Sequence, residues 1–326
     1  MRLGLDSSTL LPHEVRGILN LIANGVKTMR TCKIFSLMAL AFLFIYAPDA
    51  SAVTFVTQFI GGNAPANAAG GGNLTDIVNA AARTWESVYS DSITITLYYG
   101  WAPINEAGTH TLIEQGEHPN REICGIVYFD NSGATSFYLD ATPYSNEEYR
   151  RRTEEYQDLG GGYINVARVF ANPVGEAAGG RIDLFSVALH EIGHALGLCA
   201  ANISFIEQSG NGVIKISEGF PFEGTVVPLA LNYSGIIAHF DTTKIAYGCI
   251  MGGINGDERR IPSELDIVTN AEISGFAISN LYPKQAMQPD EVGIDDNASA
   301  DPGAGYHSAS AIDRSATGRN ALLKTE

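Results

Sequence analysis

The segment that most constrains this chain lies at residues 190–197, which read HEIGHALG. Two histidines stand four positions apart, so on a helix they share one face and lie about 6 Å apart along the axis. Imidazole nitrogens placed in this way reach one zinc ion at about 2.0–2.1 Å. Glu191 is not a ligand in this arrangement, and it lies where it takes a proton from a water. The pattern therefore predicts a helix that carries two metal ligands, His190 and His194, and a general base, Glu191.

The residues around this motif favour a helix that begins after Asp183 and ends near Gly197. Asp183 is a good N-cap, because its carboxylate accepts a hydrogen bond from the first turn. The apolar residues between Phe185 and Leu196 recur at helical spacing and predict one face that packs on a sheet. Gly197 favours termination, because glycine adopts the left-handed conformation without strain.

A catalytic zinc site has three protein ligands and one open position, so a third ligand has to come from elsewhere. His239 is the best candidate, because it follows the apolar residues 236–238 and precedes Phe240, which predicts a side chain held by packing. His110 and His118 lie in a polar segment and are interpreted as loop histidines. A carboxylate ligand is the competing possibility, with candidates at Glu207, Glu218, Glu223 and Asp241.

Alternating and helical hydrophobic patterns outline the rest of the chain. They predict helices over Leu74–Tyr89 and Ser263–Ser274, the second with a capping box at Ser263 and a stop at Gly275. They predict strands over the following segments: 93–99, 123–129, 134–139 and 163–170.

Three further patterns give local predictions. The turn residues 130–133 predict a hairpin between the strands on either side. The charged residues 145–158 predict a solvated helix or loop. The Gly-Asn-Gly sequence at 210–212 predicts a turn between two strands.

The ends of the chain differ from its middle. Residues 29–52 combine Arg30 and Lys33, an apolar run and a small-residue cleavage pattern, which predicts a signal peptide and an exported product that begins at Val53. A retained membrane anchor is the alternative. Residues 1–28 precede this signal peptide and are interpreted as a misassigned start or a leader extension. Residues 286–326 lack hydrophobic periodicity and predict a disordered tail.

The charge balance excludes several classes of protein. The chain has 20 Lys and Arg against 36 Asp and Glu, a formal charge of −16. Removal of residues 1–52 takes out five basic and three acidic residues and leaves −18. Nucleic-acid binding calls for a basic surface, and charge-driven lipid binding does as well. We therefore expect no nucleic-acid partner, and the short apolar run predicts no stable membrane insertion.

The motif at 190–197, followed by a methionine turn, resembles that of the metzincin zinc peptidases. The compact metzincin pattern has a third histidine three residues after the glycine, but Ala200 stands there in this chain. The leishmanolysin-like branch instead has a long insertion before its third histidine. Residues 198–238 are similar to that insertion, His239 to the distant ligand, and Met251 to the methionine beneath the metal.

The resemblance implies an α+β fold with an N-terminal mixed, twisted sheet, an active-site helix and a smaller C-terminal subdomain. Residues 53–285 would form this catalytic domain. It also implies a secreted, zinc-dependent endopeptidase that acts on protein or peptide substrates. The competing hypothesis is a non-catalytic surface or adhesion protein with a structural zinc site.

The cysteines of the exported product are Cys124, Cys199 and Cys249, an odd number. Cys199 follows the motif helix and Cys249 precedes Met251. We therefore expect both near the floor of the cleft, where a disulfide between them would leave Cys124 free.

Overall fold

The computed structural model describes residues 52–116, 120–175, 178–232, 235–246 and 248–284. The predicted signal peptide, the predicted tail and His118 lie outside the described residues. Within the described part of the chain, no helix is long and apolar enough to cross a membrane.

Four helices, twelve strands and one 3₁₀ turn make up the described residues. The helices are α1 (Leu74–Glu86), α2 (Leu184–Ala195), α3 (Ile203–Gln208) and α4 (Glu264–Ser274). The first six strands are β1 (Thr54–Phe59), β2 (Thr94–Ala102), β3 (Gly108–Gln115), β4 (Glu122–Asp130), β5 (Phe137–Tyr138) and β6 (Tyr149–Asp158). The others are β7 (Tyr163–Pro173), β8 (Ile182–Asp183), β9 (Val213–Lys215), β10 (Val226–Asn232), β11 (Gly235–Phe240) and β12 (Glu258–Arg260), and the 3₁₀ turn is Ile250–Gly252. The mixture of helices and several sheets agrees with the predicted α+β class.

A mixed four-stranded sheet in the order β1-β2-β4-β3 lies against the motif helix. β1, β2 and β4 run parallel, and β3 pairs antiparallel with β4 at the edge of the sheet. Helices α1 and α2 pack on each other, and the indole Nε1 of Trp85 donates a hydrogen bond to the carbonyl of Leu189 at 2.9 Å. This packing sets the motif helix beside strand β3.

The motif helix and the last helix begin as predicted. The Asp183 side chain accepts a hydrogen bond from the amide of Ser186 and caps α2. Ser263 and Asp266 form the predicted capping box of α4, and Gly275 ends that helix in the left-handed conformation. Every residue of α2 is buried, so this helix is enclosed on all sides rather than on the one predicted face. The first helix ends at Glu86, three residues before the predicted end.

The predicted hairpin around residues 130–133 is wrong. β4 is already paired on both sides, with β2 and β3, so the following segment has no free edge to join. That segment is reduced to β5, which pairs with β8 instead. The side chain of Asp130 holds the loop, because it accepts hydrogen bonds from the amides of Ser132 and Thr135.

Two other local predictions are also wrong. The charged segment forms β6, which pairs with β7 along its length; a strand at a sheet edge tolerates charge on both faces because both are solvated. The Gly-Asn-Gly turn joins helix α3 to strand β9 rather than two strands. Strand β6 pairs with the next strand, β7, but its run of charged residues hides the apolar alternation by which a strand is recognised.

Candidate metal centre

Three histidine side chains converge at one point of the structure. His190 and His194 project from helix α2, and His239 comes from strand β11. The Nε2 atom of His190 lies 3.1 Å from Nε2 of His239 and 3.1 Å from Nε2 of His194. Within the described ranges, this is the only group of three or more His, Cys, Asp or Glu side chains whose ligand atoms lie within 4.8 Å of one another.

Hydrogen bonds on the opposite nitrogens orient two of these rings. Nδ1 of His190 lies 2.8 Å from the carbonyl oxygen of Ile250, and Nδ1 of His194 lies 2.5 Å from that of Leu198. A carbonyl oxygen only accepts, so each Nδ1 carries the proton and each Nε2 presents a lone pair to the centre. Lone pairs that face each other at 3.1 Å repel unless a cation lies between them.

The electrostatics of the three rings favour the neutral, ligating form. Burial, together with the neighbouring His239, lowers the pKa of His190 to about 3, although the hydrogen bond to Ile250 acts in the opposite direction. Burial also lowers the pKa of His194 well below its usual value, and that of His239 to a smaller extent. Neutral imidazole is the form that binds a metal ion.

The residues fit a tetrahedral metal ion. Bonds of about 2.05 Å at tetrahedral angles separate neighbouring ligand atoms by roughly 3.3 Å. The observed 3.1 Å between Nε2 atoms is close to this value. Three nitrogen atoms would fill three of the four positions of a tetrahedral ion, and all three histidines line an open cleft.

Glu191 lies beside the three histidines and is buried. Its pKa is raised to about 8, chiefly by burial, while the neighbouring charge of His110 lowers it and that of Glu106 raises it. The carboxylate is therefore close to the protonation balance that suits a general base at neutral pH.

Two glycines adjust the packing of the motif helix. Gly193 faces Met251, and a Cβ at that position would collide with the Met251 sulfur. Gly197 has a φ of +139°, and a Cβ there would collide with the Ser274 hydroxyl, which donates a hydrogen bond to the carbonyl of Leu196 at 2.7 Å. These contacts join the end of the motif helix to the methionine turn and to helix α4.

Met251 is fully buried in the 3₁₀ turn that follows Cys249. Its amide and that of Ile250 donate to the carboxylate of Asp266 at 3.1 and 3.3 Å. Because Ile250 also provides the carbonyl that orients His190, the turn, helix α4 and the histidine cluster are linked by direct hydrogen bonds.

The competing carboxylate ligands do not join the cluster in the described structure. Asp241 instead pairs with Lys244 at 2.8 Å and caps the turn at Thr243. The predicted alternatives Glu207, Glu218 and Glu223 are exposed and contribute no atom to the group.

The interpretation of His110 as a loop histidine is wrong. His110 lies on strand β3, and its side chain is only 1% exposed. Its Nε2 lies 2.9 Å from Oε1 of Glu122, and its ring stacks near that of His194 with centroids 6.3 Å apart. Burial lowers the pKa of His110, but interactions with Cys199 and Glu122 outweigh it and raise the pKa to about 10. The sequence contains only a weak strand signal for this segment, because the polar residues Thr109, Thr111 and Glu114 interrupt the apolar alternation of a strand.

The expected disulfide between Cys199 and Cys249 is absent, and both thiols are free, as is Cys124. The two side chains have different surroundings. Cys199 lines the cleft beside His110, whereas Cys249 is buried against Gly252. Burial raises the pKa of the Cys249 thiol to about 12, so this thiol stays protonated.

A cleft of about 540 Å³ opens over the histidine cluster, a size typical of ligand-binding sites. Residues 108–112 of strand β3 form one wall, and residues 237–239 of strand β11 form the other. β3 pairs only with β4 in the described sheet, so its outer edge faces the cleft without a strand partner.

Comparison with family models, with curated proteins and with solved structures finds no match to this chain.

Proposed function

We propose that this chain is an exported, zinc-dependent endopeptidase. The observation that carries the proposal is the convergence of three neutral imidazoles beside the buried carboxylate of Glu191, at the floor of an open cleft. Three nitrogen donors with an open fourth position and an adjacent carboxylate are the constellation that metal-assisted hydrolysis requires.

His190, His194 and His239 would hold the zinc ion. Imidazole is a suitable ligand for zinc, and no thiolate or carboxylate joins the described group to favour another metal. When bound, zinc supplies a Lewis acid that polarises a substrate carbonyl and lowers the pKa of a water. The two Nδ1 hydrogen bonds fix the rings so that their lone pairs point at the same position.

In the proposed reaction, Glu191 transfers a proton from the attacking water to the leaving amine. Its raised pKa makes the carboxylate a better proton acceptor at neutral pH than an ordinary glutamate. It takes a proton from the attacking water and returns it to the leaving amine. Its position on the same helix as two of the ligands keeps this carboxylate at a constant distance from them.

An extended peptide is the substrate that the cleft fits best. The unpaired edge of β3 presents backbone amides and carbonyls along one wall, and a peptide strand can pair with such an edge through main-chain hydrogen bonds. Main-chain pairing is independent of side-chain identity, which suits an enzyme that cleaves proteins within the chain.

The proposal agrees with the metzincin resemblance of the sequence. Ala200 removes the compact third ligand, and His239 stands at the distant position that a leishmanolysin-like layout requires. Met251 packs beneath the helix at Gly193, as the methionine turn of such a site would. Because a signal peptide is predicted and the net charge is acidic, we also propose that the enzyme acts outside the cell or in the periplasm.

Substitution of Glu191 by glutamine tests the proposal. We expect the variant to bind one zinc ion per chain and to lose hydrolysis of casein by about 100-fold or more, because the general base is gone. His239→Ala should lower both zinc stoichiometry and hydrolysis. Glu207→Gln is the matched control, because this exposed glutamate lies outside the cluster and both readouts should stay unchanged.

The measurements are casein or gelatin digestion with and without a chelator and metal analysis of the purified chain. Zinc binding without chelator-sensitive digestion would favour the structural-site hypothesis of a surface or adhesion protein. Full hydrolysis by the Glu191→Gln chain would disprove the role of that residue. Unchanged zinc binding by His239→Ala would disprove the proposed ligand set.

A further inference from the structure

Strand β6 has one free edge and is separate from the cleft. Its ten residues pair only with β7, and it is the longest strand at an edge of the described sheets. None of its residues is among those that line the cleft. An edge strand presents a row of backbone amides and carbonyls with which another strand can pair. The side chains of β6 therefore decide whether such a partner is accepted and in which direction it runs.

The charged side chains of β6 are sorted by sign along the strand. Residues 150–152 are three consecutive arginines, and Glu154 and Glu155 follow after Thr153. The three arginines and Glu155 are exposed, and Glu154 is half-buried. Charge at a sheet edge usually prevents association, because the two copies repel each other. Here the two halves of one strand have opposite signs, so the outcome depends on the direction in which a second copy approaches.

One face of the strand satisfies its charges within the chain. On that face, Glu154 forms an ion pair with Arg152, and its Oε1 lies 3.9 Å from Nε of Arg168 on β7. Side chains alternate along a strand, so Arg151 and Glu155 project from the opposite face. Both are exposed, and neither takes part in an ion pair among the described residues. This second face therefore presents both signs of charge to a partner.

Antiparallel pairing with a second β6 matches the two halves of the strand. A two-fold axis through Thr153, perpendicular to the sheet, brings residues at equal distances on either side of Thr153 opposite each other. Arg151 then faces Glu155 of the second copy on one face of the sheet, and Arg152 faces Glu154 on the other. Each pair occurs twice because the symmetry is two-fold. Opposite charges at directly opposed positions stabilise a pair of strands.

The same charges disfavour the neighbouring arrangements. A shift of the axis by one residue places either Arg152 or Glu154 opposite its own copy. A parallel, in-register pair places every charge of the strand opposite its own copy. Like charges at opposed positions destabilise a pair of strands. The side chains of β6 therefore fit one arrangement, the antiparallel pair centred on Thr153.

We propose that this chain forms a two-fold symmetric dimer through the free edges of β6. The sheets of the two copies join into one sheet in the order β12-β7-β6-β6-β7-β12. Backbone hydrogen bonds between the two β6 strands supply the affinity. The ion pairs set direction and register, because exposed ion pairs contribute little affinity by themselves. β6 carries no residue of the cleft, so the dimer does not depend on the proposed peptidase activity.

Charge reversal at the outer ion pair tests the dimer. Sedimentation velocity of the purified chain at increasing concentration measures the dissociation constant of the dimer. Arg151→Glu places two acidic side chains opposite each other at both ends of the interface, and Glu155→Arg places two basic ones there. Each should raise the dissociation constant by about tenfold or more. The double variant Arg151→Glu/Glu155→Arg should restore the parent's value, because the two signs have only exchanged places.

Two single variants outside β6 control for the change in net charge. Lys215→Glu on β9 and Glu207→Arg on helix α3 alter exposed residues by the same steps of charge. Both should leave the dissociation constant unchanged. Hydrogen exchange of the parent needs no variant: backbone amides of residues 150–156 should become more protected as the concentration of the chain rises.

A parent that stays monomeric over the whole concentration range would overturn the proposal, as would a dimer that both single reversals leave intact. A double variant that associates no better than the single ones would contradict the antiparallel pairing. Thermal unfolding identifies a variant that does not fold, and hydrogen exchange of the parent then carries the test. Arg151→Glu should hydrolyse casein at the parent's rate per chain, so failure of the dimer and failure of the peptidase proposal are read separately.

Discussion

Two glycines determine how closely the elements around the metal centre approach each other. Gly193 lets Met251 approach the motif helix, and Gly108 lets the edge strand approach Glu191. At position 108, a Cβ would lie 2.6 Å from Oε1 of Glu191 and 2.8 Å from Cγ1 of Val187. Real Cβ atoms do not make contacts this short, so the neighbouring side chains would have to move.

Substitution of Gly108 by alanine should therefore displace the Glu191 carboxylate. We expect kcat for casein to fall by about 100-fold, because a displacement near 1 Å is enough to disrupt catalytic geometry. Zinc stoichiometry should stay the same, since Gly108 touches none of the three ligands in the described contacts.

Gly116→Ala is the matched control for this experiment. It lies just beyond the same strand, and a Cβ there would make only ordinary contacts of 3.5 Å or more. Steady-state kinetics and metal analysis give the two readouts. Equal kcat values for the two alanine variants would show that Gly108 does not position Glu191.

At the scale of elements, Asp266 connects helix α4 to the metal centre. Its buried carboxylate accepts hydrogen bonds from the amide and hydroxyl of Ser263, at 2.8 and 2.6 Å. It also accepts the amides of Ile250 and Met251 in the 3₁₀ turn. One side chain thus caps the helix and holds the turn whose Ile250 carbonyl orients His190.

Asp266→Ala should lower the free energy of unfolding of the metal-free chain by roughly 2–4 kcal/mol, because it removes a helix cap and leaves buried amides unsatisfied. It should also weaken zinc affinity, since the turn that orients His190 loses its support. Denaturant unfolding and zinc titration measure the two effects.

Glu272→Ala provides the comparison, because this residue lies on the same helix and binds Ser217 near the surface, away from the turn. We expect a loss below about 1 kcal/mol for it and unchanged zinc affinity. If Asp266→Ala destabilises the fold but keeps the parent's zinc affinity, the turn does not depend on Asp266 for its position.

At the scale of the whole molecule, the buried carboxyl of Glu191 makes the stability of the metal-free chain depend on pH. The pKa of Glu191 is raised from an ordinary 4.5 to about 8 by burial. A carboxyl whose pKa is higher in the folded state favours folding while it is protonated, and this contribution is lost as the pH rises from about 4.5 to about 8. A buried ionised carboxylate without a metal ion therefore costs stability at alkaline pH.

Metal-free Glu191→Gln should accordingly gain stability relative to the metal-free parent as the pH rises from 5 to 8. The gain should be on the order of 2 kcal/mol, since one pKa unit corresponds to about 1.4 kcal/mol and water in the open cleft partly relieves the burial. Urea unfolding of both chains in chelator across this pH range measures it. A difference in stability that stays constant from pH 5 to pH 8 would contradict the raised pKa of Glu191.

Local patterns sufficed for those parts of the fold whose interactions are local. Helix α2 and its cap at Asp183, the capping box at Ser263 and the stop at Gly275 depend on contacts within one or two turns. The short strand β5 was not predicted correctly because its partner, β8, lies far along the chain. The charged strand β6 pairs with the next strand, β7, and was missed because its charged residues hide the alternation of a strand. Charge on β6 suggested solvation, and the edge of a sheet satisfies that requirement as well as a helix or loop does.

For the centre itself, the sequence alone determined that His190 and His194 share a helix face with Glu191 between them, because helical spacing follows from covalent geometry. It also favoured His239 over the carboxylates, but only the tertiary structure brought Nε2 of His239 and Nε2 of His194 each to 3.1 Å from Nε2 of His190. Tertiary structure likewise decided that His110 is buried beside Glu122 and that Cys124, Cys199 and Cys249 stay unpaired. The physical reason is that ligand convergence, burial and thiol pairing are set by the packing of elements that are distant in sequence, and no local pattern encodes those distances.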